Sequence, residues 1–215
     1  MSDWTRMFSG ISKHPLLKLA CLAGLGLWIG LWYYAPQLWP LFEARPAPTL
    51  WFDEWVPFHP TWALIYQSVF ITHTLAIWLP ADAGTVRRYT GILAAVYSLA
   101  AIVFWFYPTV SPRPQEVESF LYYWLVTAID GERNAIPSLH AAMGTLAALQ
   151  LYRHFRVVQA GSGWRALIVC WWPIFLYSTL ATRQHRVLDL VAGVLLVIAL
   201  LAVFRPSREG IAAAH

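Results

Sequence analysis

Six apolar stretches, each near the length of a membrane crossing, constrain this chain more than any motif does. A helix needs about 20 mostly apolar residues to cross the hydrocarbon core of a bilayer. Such stretches run over residues 16–36, 61–80, 89–107, 137–153, 165–182 and 186–204. They take up most of the 215 residues and leave no room for a separate soluble domain. Composition agrees: 59% of residues are hydrophobic, 12% are charged and the mean hydropathy is +0.52. A water-facing domain of this size carries about twice that share of charge. Thirteen Trp and ten Tyr fit the same class, because amphipathic rings collect where bilayer meets water. The fold expected is all-α: one membrane domain over 1–215, with six transmembrane helices and interfacial segments on the outer side.

Basic residues near the N-terminus followed by an apolar run also describe a signal peptide. Here the run over 16–36 is long enough to span, and no small-residue cleavage site follows it, so it reads as a retained first helix. Cys21 and Cys170 both lie within apolar stretches and read as small core hydrophobes.

The net charge of +4 is explained by orientation, and no nucleic acid partner is implied. With six crossings, the side holding both termini carries Arg6, Lys13, Lys18, Arg87, Arg88, Arg153, Arg156, Arg165, Arg205 and Arg208. The opposite side carries Arg45, Arg113, Arg133, Arg183 and Arg186, with most of the acids, Asp53, Glu54 and Asp130 among them. The bias of Lys and Arg toward cytoplasmic loops puts both termini in the cytoplasm and the long connections 37–60 and 108–136 outside. Segment 46–60, rich in Pro and Trp, reads as an interfacial strap. Segment 119–129 is apolar but too short to span, so it reads as interfacial too.

On that outer side the polar residues gather. Ionisable groups at the ends of apolar spans are costly and are functional candidates by default. His185 and Asp189 are four residues apart, which on a helix sets a carboxylate beside an imidazole. Pro137-Ser-Leu-His140 opens the fourth stretch, and Arg113 follows the third. Together they offer the parts for work on a phosphate ester. Arg113 is a permanent planar cation. Ser138 adds a hydroxyl beside the free backbone N–H groups of a helix start. His140 can give a proton to a leaving alkoxide, and neutral His185, its tautomer fixed by Asp189, can attack phosphorus. No cofactor or metal is required. Each residue also has a plainer reading: Ser138 as a helix N-cap, His140 as a cap, Arg113 as an anchor. His73 reads as a hydrogen-bonded packing histidine, and Asp53 and His59 as structural. Asn134 would orient the loop before the second motif, Pro173 would kink the fifth span, and Ala141, Ala142 and Gly144 would allow close helix packing.

These motifs resemble the type 2 phosphatidic acid phosphatase (PAP2) superfamily. Arg113-Pro114 is similar to the family's Lys-x6-Arg-Pro, with Phe106 at the Lys position. Pro137-Ser138-Leu139-His140 resembles Pro-Ser-Gly-His. Ser178, His185 and Asp189 resemble the third motif, with Thr179 where the family has Arg. Phe52-Asp-Glu-Trp-Val-Pro-Phe-His-Pro60, Tyr107-Pro-Thr-Val-Ser-Pro-Arg113 and the Leu-Val-Ala-Gly after Asp189 look similar to the inositol phosphorylceramide synthase branch. The resemblance covers about 50–195, in order. It implies His185 as nucleophile, Asp189 as its partner, His140 as general acid, and Ser138 and Arg113 as phosphate ligands. Arg183 and Arg186 flank His185 and would offset the missing Lys and Arg. The implied activity is a lipid phosphatase or phosphotransferase passing phosphoryl to water or an alcohol, its partners a lipid phosphate or phospholipid and the bilayer itself. Two rivals remain: a metal-dependent hydrolase with His140, His185 and Asp189 as ligands, and a transporter whose histidines relay protons.

Overall fold

The computed structural model describes residues 3–204, apart from 112, 115, 116, 118, 128, 129 and 132, with the backbone alone at 121 and 127. Arg205 and Arg208, part of the loop-charge reading, lie outside the described residues. A helix occupies each of the six apolar stretches: α2 (Pro15–Leu38), α3 (Ala63–Trp78), α4 (Ala83–Phe106), α6 (Leu139–Val157), α7 (Ser162–Ala181) and α8 (Val187–Val203). Two short helices add to the expectation. One is α1 (Asp3–Phe8), and the other is α5 (Phe120–Tyr122), a single turn inside segment 119–129. The all-α expectation also missed a two-residue parallel pairing of β1 (Arg45–Pro46) with β2 (Thr109–Val110). It is flanked by a bridge from Thr109 to Asn134, which ties the loop before α6 to the end of α4.

Local chemistry sets the helix starts. Asp82 caps α4 by accepting from the backbone N of Thr85 at 2.6 Å, and Ser138 caps α6 by accepting from that of Ala141 at 3.2 Å. Pro15 opens α2, where its missing N–H costs nothing. Asp189, in the first turn of α8, accepts from the backbone N of Arg186 at 2.8 Å.

Helix α6 is the axis of the molecule. It packs against α3, α4, α7 and α8, and nearly every residue from Leu139 to Leu151 is buried. Its small residues make this possible: a Cβ at Gly144 would run into the Phe175 ring of α7. Gly193 of α8 does the same at the start of α6, where a Cβ would collide with the Ser138 carbonyl. This close crossing lets the Ser138 backbone N donate to the Asp189 carbonyl at 2.9 Å.

Outside this core the surface is apolar. Leu16, Leu27 and Leu31 of α2 and Leu195 and Ile198 of α8 are exposed. Helices α2, α4 and α7 are long and apolar enough to cross a membrane, and α8 is a shorter apolar helix. Exposed apolar faces on helices of this length point to a membrane protein. Cys170 is exposed on α7, not in the core as its apolar neighbours implied, while Cys21 is half-buried. A helix apolar on every side gives no sequence signal of which side faces in. Pro173 lies within a continuous α7. His73 is a packing histidine, its Nδ1 2.9 Å from the Tyr89 hydroxyl.

Candidate active site

Three chain segments meet at the N-terminal end of α6. The first is the turn from α7 to α8. Arg183 sits there in the left-handed region, with φ 56°, a conformation that costs a non-glycine residue about 1 kcal/mol. Its guanidinium holds the turn, donating to the carbonyls of Asp53 at 3.0 Å and Val56 at 2.8 Å. Asp53 is buried, and its two carboxylate oxygens accept from the backbone N of Leu50 at 2.7 Å and of Val187 at 2.8 Å. Strap and turn are thus one hydrogen-bonded unit. The structure puts the Arg183 guanidinium on the strap and not among the side chains around His185, because the strap offers it two carbonyls. Asp53 is structural, as expected, and the His59 backbone N joins the strap to the Ala181 carbonyl at 2.9 Å.

The turn leaves His185 facing inward, with Nδ1 3.4 Å from Oδ2 of Asp189. Asp189 is fully buried. Across the site His140, one residue into α6, presents its ring 6.0 Å from that of His185. The expected residues His140, His185, Asp189 and Ser138 therefore converge. Ser138 is completely buried, its hydroxyl accepting at the cap.

The opposite wall was not anticipated as part of the site. Asp130 accepts from the hydroxyl of Tyr66, on α3, and from that of Tyr33, on α2, at 3.2 Å. Tyr66 also stacks on His140 with ring centroids 4.4 Å apart, its hydroxyl 3.0 Å from Nδ1. The single hydroxyl proton of Tyr66 goes to the carboxylate, which assigns the proton of the second contact to Nδ1 of His140. Nε2 of His140 is left facing Asp130 Oδ1 at 3.9 Å. Arg113 reaches the same loop, donating to the carbonyls of Asp130 at 3.1 Å and Gly131 at 2.6 Å. Among the described residues two of its five N–H donors are used. The signal for Asp130 was present in the sequence: it is an acid at the end of an apolar segment, as His140 and His185 are bases at such ends. Tyr66 and Tyr33 carry no such signal, since each is an aromatic residue inside an apolar run.

Several buried polar atoms here have no hydrogen-bond partner among the described residues: Nε2 of His140, Nδ1 of His185, Oδ1 of Asp189 and Oε1 of Gln184. Buried polar atoms are rarely left so, and here three of the four belong to residues that line one small cavity. It is lined by Tyr33, Arg113, Asp130, His140, Gln184 and His185, with room for about 10 Å³, about one water. At the departures from the family motifs, Thr179 is buried and its hydroxyl donates to the Leu176 carbonyl at 2.7 Å. Phe106 is exposed at the end of α4. Among the described residues no three His, Cys, Asp or Glu side chains come together as a metal-ligand set.

Comparison with known proteins gives a family. The profile of the PAP2 superfamily matches residues 37–203, which takes in the strap, Arg113, His140, His185 and Asp189. No curated protein and no solved structure matches the chain. The match covers most of the sequence and all of the site just described except Tyr33, and on it the chain belongs to the PAP2 superfamily.

Proposed function

We propose that this protein breaks a lipid phosphoester through a phosphohistidine at His185 and passes the phosphoryl group to water or an alcohol. Members of the superfamily are in general phosphoric ester hydrolases or phosphotransferases. The observation that carries the finer reading is the facing pair of histidines. Nδ1 of His185 faces the buried Asp189 carboxylate at 3.4 Å, while the His140 ring lies 6.0 Å away.

The chemistry follows from those positions. With its Nδ1 proton directed at Asp189, His185 keeps its Nε2 lone pair, and that pair attacks phosphorus. The bond from phosphorus to the leaving oxygen breaks, and Nε2 of His140 supplies the proton the alkoxide needs. Asp189 stabilises the charge that develops on His185. In the second half, water or an alcohol attacks the phosphohistidine and gives its proton to the now neutral Nε2 of His140. The P–N bond breaks and returns the electron pair to His185. Tyr66 keeps the other His140 nitrogen occupied, so proton exchange is confined to the atom that faces the substrate. The remaining Arg113 donors and the backbone at the start of α6 hold the phosphate oxygens, with Ser138 positioning that helix end. Histidine contacts of this kind are often loose without substrate and tighten around it. A cavity of about one water must widen before a phosphate enters.

We assign all six long helices as crossings, in one membrane domain, with both termini in the cytoplasm and the site at the outer face of the cytoplasmic membrane. The similarity of segments 52–60 and 107–113 to the inositol phosphorylceramide synthase branch favours transfer to an alcohol. Purified protein given lipid phosphates and phospholipids in the presence of a chelator should release phosphate or form a new lipid phosphoester. Turnover that survives His185→Ala, or that stops on chelation and returns with zinc, would contradict this mechanism. A reporter fused after residue 215 should be cytoplasmic, and an outward reporter would reverse the placement of the site.

A further inference from the structure

At the other end of the bundle a second cavity, of about 330 Å³, opens between the start of α4, the last turns of α6 and the end of α8. Arg153 on its wall lies thirteen positions after His140 along α6, about 20 Å along a helix, so this cavity is distinct from the site above. Its rim carries two guanidinium groups, from Arg88 and Arg153. Arg153 is exposed and makes no ion pair or hydrogen bond among the described residues. Arg88 donates Nε and Nη2 to the Phe204 carbonyl at 3.2 and 3.0 Å, leaving Nη1. The wall holds one carboxylate, Asp82, and it is occupied as the cap of α4. Among the described residues neither cation has an acid paired with it. Behind the rim the lining turns apolar, with Ile92, Leu146, Leu149 and Leu201.

Two guanidinium groups at the mouth of an apolar recess, with no acid paired to either among the described residues, match an anion carried on a hydrocarbon chain. Guanidinium grips phosphate oxygens through paired donors, and basic pockets between membrane helices recruit anionic headgroups. We infer that this cavity binds the phosphate group of an anionic membrane lipid, separately from the lipid acted on at the other end. A free phosphate shares the headgroup's chemistry but would leave the apolar wall unused.

The test uses full-length protein in neutral detergent, titrated with short-chain phosphatidylglycerol, phosphatidylcholine of the same chains, and inorganic phosphate. Bound lipid is counted by native mass spectrometry, and thermal unfolding confirms that each variant is folded. Phosphatidylglycerol should bind more tightly than phosphatidylcholine by about fivefold or more for each arginine engaged. Arg153→Ala should remove about a fivefold share of that preference, and Arg88→Ala with Arg153→Ala should abolish it. Inorganic phosphate at millimolar concentration should not displace the lipid. Arg153 is exposed and has no partner among the described residues, so its single variant decides the matter even if the double variant does not fold. Equal binding of the two lipids overturns the proposal, as does a preference that both variants retain. Displacement by inorganic phosphate overturns the lipid assignment and gives the cavity to a free anion.

Discussion

The two ends of α6 solve opposite problems with the same kinds of residue. At its start four charged groups are held: Arg113 by two carbonyls, Asp130 by two tyrosines, Asp189 by a backbone N–H, and Arg183 by the strap. The room between them is about 10 Å³. At its end Arg153 is held by nothing among the described residues, and the space beside it is about 330 Å³. The bond breaking proposed for the first end needs groups fixed within a fraction of an ångström of one another, and the hydrogen bonds there hold them in place. A site that only holds a headgroup needs charge and room, and the second end has both.

Experiments that change one end and read the other would break or sharpen this contrast. His185→Ala should reduce lipid phosphoester turnover on the order of ten-thousandfold, measured by product release, with anionic lipid still bound at the far end. Gly193→Ala should come next. The new methyl meets the Ser138 carbonyl and shifts Asp189 against His140, and a displacement of about 1 Å costs about a hundredfold in rate. The control is Gly91→Ala, where a Cβ meets nothing within 4 Å, and turnover should stay within about twofold. Wild-type rates in Gly193→Ala would mean that the crossing of α8 over α6 does not set the site.

Asp130→Asn should lower kcat about tenfold, because the Tyr66 hydroxyl that fixes His140 loses its charged acceptor. It should also tighten inhibition by inorganic phosphate, since a carboxylate no longer opposes the anion. Weaker phosphate inhibition would show that Asp130 does not face the substrate. Arg183→Ala should act mainly on stability, lowering the melting midpoint by several degrees through about 2 kcal/mol of lost contacts to the strap. A large rise in KM with an unchanged midpoint would return Arg183 to the phosphate. Arg153→Ala should change turnover least, within about twofold, because its wall lies about 20 Å from the chemistry. A tenfold loss there would mean that the ends are coupled.

Much of this architecture could be read from the chain, and the reason is physical. Long apolar runs specify helices locally, so each of the six long helices overlaps its expected stretch, with the largest difference at the start of α4, Ala83 against residue 89. A histidine and an aspartate four apart are neighbours by helix geometry alone, as His185 and Asp189 are. What escaped the sequence depends on tertiary crossings. Tyr66 and Tyr33 come to Asp130 from helices far away in sequence, and no periodicity marks them. The hold of Arg183 on the strap was not foreseen either, because adjacent residues in a turn point different ways and its strap partners lie about 130 positions earlier. Cys170 faces outward because an apolar lipid-facing side and an apolar core side look alike in one sequence.

The most direct test of the account is to find where the phosphoryl group rests between donor and acceptor. Protein mixed with a phosphorus-labelled lipid substrate, quenched in alkali to preserve phosphohistidine and mapped by peptide mass, should carry label on His185 alone. The label should appear before product and disappear when water or the alcohol acceptor is added. Turnover with no labelled protein, or label on His140 or any other residue, would contradict the central claim.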